Sequence, residues 1–267
     1  MKLADKNNHN NLIQMKPVKI LFIALAATLV SVASYAQTAD EIIEKYFETI
    51  GGKGNWAALQ GLKIATVTKV QGMEFPGVTI LLKDGRQTNS AKFQGMDFYQ
   101  QVFDGTTLWG TNQMTMKAEK SDAETTENFK ANLGLDFPSP FLDYGKKGFK
   151  VELLGKETID GTETFKIKLT KKPIKIDGQE SENINFYYFD SENFVPILVE
   201  AEVKSGPGKG MISQIKMSDY QEVNGLMFAF SSSMGAKDQP GGFMSTISSI
   251  EFNPQVDPSL FAFPEGK

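Results

Sequence analysis

The chemistry open to this chain is set by two shortages. It has no cysteine and a single histidine, His9, which lies in a segment expected to be removed on export. Cysteine nucleophiles, serine–histidine–aspartate triads, thiolate or imidazole metal sites and histidine-ligated haem are therefore excluded from the mature chain. Carboxylate, lysine, tyrosine or serine–lysine chemistry remains. Two acidic clusters stand out, SDAETTE (121–127) and DGQESE (177–182). Clustered carboxylates suit a hard cation such as calcium, but neither run has the spacing of an EF-hand loop, so both read as solvated surface and no metal is expected. GPGKG (206–210) lacks the spacing of a phosphate-binding loop and reads as a hairpin turn. KLTKKPIKIDG (168–178) is basic and reads as lysines blunting a strand end rather than as a lipid-headgroup site. A hydrolase built on two carboxylates has no motif to support it.

With covalent chemistry this thin, the informative residues are apolar. The chain has 20 Phe and 11 Met, and methionine's flexible thioether suits adaptable apolar linings. Candidate cavity-lining residues are Met73, Phe75, Phe98, Trp109, Met114, Met116, Met227, Phe228 and Phe230, with Met217, Met234 and Met244 as further members. The competing reading is that they simply fill a β core. Trp109 sits in QVFDGTTLWG (101–110), and the two-residue period of a strand puts Leu108 on the other face. Trp109 is expected to point inward, as cavity lining or as core.

The elements that must position these residues are legible in outline. Lys16 and Lys19 precede an apolar run, Ile20 to Ala33, and Ser34 and Ala36 follow at small-residue positions, the pattern of a secretory signal peptide cleaved after Ala36. The run is shorter than the roughly 20 residues an ordinary membrane span needs. Removing Lys2, Lys6, Lys16, Lys19 and Asp5 takes the net charge from −4 to −7, which argues against nucleic acid as a partner. TADEIIEKYFETIGG predicts a helix with a capping box of Thr38 and Glu41 and an apolar face of Ile42, Ile43, Tyr46, Phe47 and Ile50. From Gly61 the period becomes two, with turn pairs at Asp84-Gly85, Asp104-Gly105, Asp160-Gly161 and Asn224-Gly225. This predicts an antiparallel meander of nine to eleven strands in one domain, 37–267. A short surface helix interrupts it over 121–134, capped by Ser121 and Glu124 and held by Phe129 and Leu133. The pentapeptides QGMEF (71–75) and QGMDF (94–98) echo each other near strand ends.

Taken together, QTADEIIEKYFETIGG, QGMEFP, FDGTTLW, YGKKGFKVELLGKETIDGTETFKIKL, YYFDSENFVPI, SDYQEVNGLMFAFS and VDPSLFAFP resemble segments of the Bacteroidetes-type outer membrane lipoprotein-sorting proteins. These are relatives of the periplasmic lipoprotein carrier LolA and the receptor LolB. The resemblance implies a mainly β, half-open antiparallel barrel wrapped around an N-terminal helix and a short lid helix, with an apolar cavity between. It also implies a non-catalytic periplasmic carrier of lipid or lipoprotein acyl chains, without a cofactor. The alternative is a structural or interaction module of the envelope with a solid core and a partner protein. A functional arginine on an early strand is associated with the carrier, and the sole arginine here, Arg86 in KDGRQTNSAKF, is the candidate.

Overall fold

The computed structural model describes residues 37–132, 135–239 and 241–265. The expected signal peptide and its expected cleavage site lie outside these residues. Helix α1 (Ala39–Thr49) starts where the sequence places it: the Thr38 hydroxyl accepts from the Glu41 N–H, and the Glu41 carboxylate accepts from the Thr38 N–H. Ile42, Ile43 and Phe47 bury its apolar face. The chain leaves α1 through Gly51 at φ 103°, and a Cβ there would lie 2.0 Å from the Gly225 carbonyl oxygen, so only glycine fits this close approach. Helix α2 (Lys53–Ala58) follows, and its Trp56 donates from Nε1 to the Ile50 carbonyl.

Fifteen strands follow among the described residues: β1 (Gly61–Val70), β2 (Met73–Leu82), β3 (Gln87–Phe93), β4 (Met96–Phe103), β5 (Leu108–Thr111), β6 (Ala118–Lys120), β7 (Lys150–Ile159), β8 (Thr162–Thr170), β9 (Ile174–Ile176), β10 (Gln179–Ser181), β11 (Ile184–Asp190), β12 (Pro196–Glu202), β13 (Ile212–Val223), β14 (Leu226–Ala236) and β15 (Phe243–Phe252). Thirteen form one antiparallel sheet in the order β6-β5-β4-β3-β2-β1-β15-β14-β13-β12-β11-β8-β7, and β9 and β10 pair separately. The count exceeds the expected nine to eleven because β5, β6, β9 and β10 have only three or four residues, too few to show a period. The DGQESE segment is accordingly the turn and return strand of a small hairpin.

The two pentapeptide echoes are two copies of one turn. Gln71-Gly72 has φ 49° and 82°, and Gln94-Gly95 has φ 50° and 82°, the double positive φ of a type I′ hairpin. Asp160-Gly161 and Asn224-Gly225 do the same. Asp104-Gly105 works differently: the Asp104 carboxylate accepts from the N–H groups of Thr106 and Thr107, so its side chain holds the loop.

The sheet is open, with β6 and β7 at its edges, yet its flanks are bridged. Helix α3 (Ala123–Ala131) follows β6, and its Asn128 exchanges two hydrogen bonds with the Lys175 backbone on β9. Glu124, one turn earlier, accepts from the N–H groups of Asp177 and Gly178 in the β9–β10 turn. An element from one flank is thus tied to an excursion from the other, as a half-open barrel requires. The expected cap of this helix is corrected by one residue. Asp122 is the N-cap and accepts from the Thr125 N–H, because Glu124 is committed to the distant turn and cannot reach back to Ser121. Phe129 anchors α3 against Phe103 and Leu108; Leu133 lies outside the described residues.

Candidate ligand-binding site

The two faces of the sheet are covered differently. Leu62 and Ile64 on β1 and Phe228 and Phe230 on β14 face α1 and α2, and Trp56 packs 5.1 Å from the Phe228 ring. Cross-strand partners share a face, so the helix-bearing face can be followed past the helices. Thr68 pairs with Phe75 and Val70 with Met73 on one side of β1, and Ser232 with Ser245 and Met234 with Phe243 between β14 and β15. Further out, Ala91 pairs with Phe98 and Phe93 with Met96. The stacked rings of Phe75 and Phe93, 6.1 Å apart, confirm the alignment across β2 and β3. Under α1 and α2 this face is a filled core. Beyond them it continues, as the trough, in half-buried apolar and hydroxyl side chains that run to the end carrying the β1–β2, β3–β4 and β14–β15 turns.

The structure brings most of the expected residues to this face. Met73, Phe75, Phe98 and Phe230 line it, joined by Met217 and Met234. Phe228 lies on it too, but sealed under Trp56. Met227 is half-buried at the helix end of β14, and its N–H donates to the Ile50 carbonyl. Met114 and Met116 sit in the β5–β6 turn and are exposed. Met244 pairs with Lys69 and Ser233, on the opposite face.

Trp109 is inside the molecule, as core rather than cavity lining. It is 3% exposed and pairs with Val102, which with Ile80, Leu82 and Phe261 forms a second core on the face away from α1. The chain after β15 crosses this face and seals it. Trp109 Nε1 donates to the Phe261 carbonyl at 2.9 Å, and the Phe263 ring meets the indole edge-on at 5.9 Å. Leu108 points the other way, to α3, as the strand period requires.

Arg86 belongs to the same tail, not to the trough. Its guanidinium holds Asp84 at 2.8 Å and lies 5.3 Å over the Phe261 ring. Hydrogen bonding from that guanidinium keeps the Asp84 carboxyl below its usual value. An Arg86→Ala variant should therefore bind acyl probes like the parent while amide hydrogen exchange quickens around Phe261. Weaker probe binding with unchanged exchange would return Arg86 to the site.

The buried charges lie elsewhere, under the segment joining α3 to β7. Lys171, read from sequence as a surface lysine, is buried with its Nζ 2.5 Å from Asp136 Oδ2. Burial holds the Asp136 carboxyl above its usual range despite that ammonium, and burial lowers Lys147 to about 8. Lys147 Nζ donates to the Ser139 carbonyl, while Ser139 Oγ accepts from the Phe141 N–H and is buried. This serine and lysine meet through the backbone, as a clasp of the loop. A groove of about 730 Å³ beside the β14–β15 loop mixes Lys69, Gln214 and Lys216 with Met234, Phe243 and Met244. Among the described residues no three potential metal-ligating side chains gather. The acidic cluster at 121–127 is instead spent on the α3 cap and the β9–β10 turn.

This open antiparallel sheet, with helices on one face, is similar in fold to solved LolA superfamily structures. A LolA superfamily protein from Nitrosomonas europaea superposes with a TM-score of 0.52 at 14% identity, covering 85% of this chain and 98% of that one. An outer membrane lipoprotein-sorting protein domain from Vibrio parahaemolyticus gives 0.50 at 11% identity, covering 83% and 94%. No protein-family model and no curated protein matches the chain. At these identities the likeness concerns the fold.

Proposed function

We propose that this protein is a non-catalytic carrier of lipid or lipoprotein acyl chains in the periplasm. The observation that carries the proposal is the helix-bearing face, where Phe75 and Phe98 stay half-buried outside the filled core under α1, and Phe230 stands at the edge of that core. An acyl chain laid along this trough would gain about 0.8 kcal/mol per buried CH₂, so roughly 10 kcal/mol for a chain of some fourteen carbons before ordering costs. Binding and release then need no covalent step, in keeping with a mature chain lacking cysteine and histidine. The fold shared with lipoprotein-sorting domains supports the reading.

The test is native mass spectrometry of protein purified from its own host, with displacement of a fluorescent fatty-acyl probe by added lipid. Co-purifying lipid and competitive displacement are expected; bare protein that binds no probe would end the proposal. The filled core under α1 and α2 favours a second reading, a structural module that docks a partner protein, and that is the reading a bare protein would leave standing.

A further inference from the structure

We propose that the hairpin tips around the mouth of the trough form a bilayer-docking rim, so that the protein exchanges its cargo directly with a membrane surface. The inference rests on the acyl-carrier reading for its purpose, but on separate side chains for its geometry. Most of the exposed large apolar side chains of the described residues stand at one end of the sheet. Met114 (90% exposed) and Met116 occupy the β5–β6 turn, Met96 follows the β3–β4 turn, Met73 follows the β1–β2 turn, and Phe243 and Met244 follow the β14–β15 loop. The register places these turns at a common end: Val70 pairs with Met73, Lys69 with Met244, Phe93 with Met96, and Thr111 with Ala118.

A bilayer fits this rim better than a folded partner does. The side chains are spread over four separate tips, and the strands from β4 to β14 alone span about 24 Å at 4.8 Å per strand. At the β1–β2, β3–β4 and β5–β6 tips they are single flexible methionines, which insert independently into a fluid interface, while Phe243 and Met244 edge a groove beside the β14–β15 loop. Two of the four tips close their charges across the hairpin: Lys69 holds Glu74 at 2.9 Å and Lys92 holds Asp97 at 2.8 Å. Paired carboxylates are not repelled by anionic headgroups, and paired lysines add little attraction, so insertion of the apolar tips must dominate. The rim is also continuous with the trough: Met73 and Met96 share its face, next to Phe75 and Phe98.

The experiment is flotation of the mature protein with vesicles of phosphatidylethanolamine and phosphatidylglycerol, at low and high salt. Co-flotation is expected, changing little with salt. The triple variant Met114→Ser/Met116→Ser/Met244→Ser should lose about tenfold in vesicle affinity, given the apolar area removed, while binding a soluble acyl probe as the parent does. All three side chains are exposed, so folding is spared. Parent protein that stays in solution, a variant that floats equally well, or a steep loss of flotation with salt would each overturn the rim. Probe binding without flotation would remove the rim and leave the carrier reading; flotation without probe binding would do the reverse.

Discussion

Replacing Trp109 with alanine is expected to lower the free energy of unfolding by about 3–5 kcal/mol, the usual cost of deleting a buried tryptophan. Three losses combine at this position. The indole is buried against Tyr99, Val102 and Phe261; its removal leaves a cavity; and the Phe261 carbonyl loses its donor. Trp109→Phe restores most of the packing but not the hydrogen bond, and should cost only about 1–3 kcal/mol. Urea titration of the mature chain measures both. A cost for alanine under about 1 kcal/mol would mean that the tail does not seal this face. Trp56 is the other tryptophan, so in a Trp56→Phe background the fluorescence reports the surroundings of Trp109, where sheet and tail meet.

The second large effect concerns the trough. Phe75→Asp should weaken acyl-probe binding about a hundredfold, close to 3 kcal/mol, because it removes apolar contact and places a carboxylate where a hydrocarbon must lie. Phe75 is half-buried and near a hairpin tip, so the fold can accept the change. Phe75→Leu keeps an apolar wall and should bind within a few-fold of the parent. Equal binding by the aspartate variant, measured by probe titration, would move the cargo away from this face.

Much of the frame was legible because local chemistry decides it. Thr38 and Glu41 specify a helix start with no help from the rest of the chain, and Asp160-Gly161 or Asn224-Gly225 specify a tight turn through φ alone. What stayed hidden depends on partners far away in sequence. QTNSAKF has no apolar period and becomes β3 because β2 and β4 flank it on both edges. Glu124 looked like half of a capping box until the β9–β10 turn claimed it. Lys171 looked like a surface charge until Asp136, 35 residues earlier, drew it inward. Trp109 shows the same limit within a strand: alternation separates its face from that of Leu108, but only the tail says which covering each face receives. The signal available was VDPSLFAFP, whose Phe261 and Phe263 have no strand period to serve. The trough was half legible for a related reason. Met and Phe content announces surplus apolar surface, and the register then sorts those side chains into core, trough and tips.

The pairing of β1 with β15 reaches beyond the finished structure. Gln60 donates to the Asn253 side chain, 193 residues further on, and Leu62 stands opposite Phe252. Until that distant segment has been synthesised, β1 lacks a neighbour on one side and the two halves of the sheet remain unjoined. Closing so long a loop comes late and slowly, which leaves a strand edge exposed to other chains in the meantime. That delay places the greatest need for a holding chaperone between the emergence of β1 and the arrival of β15.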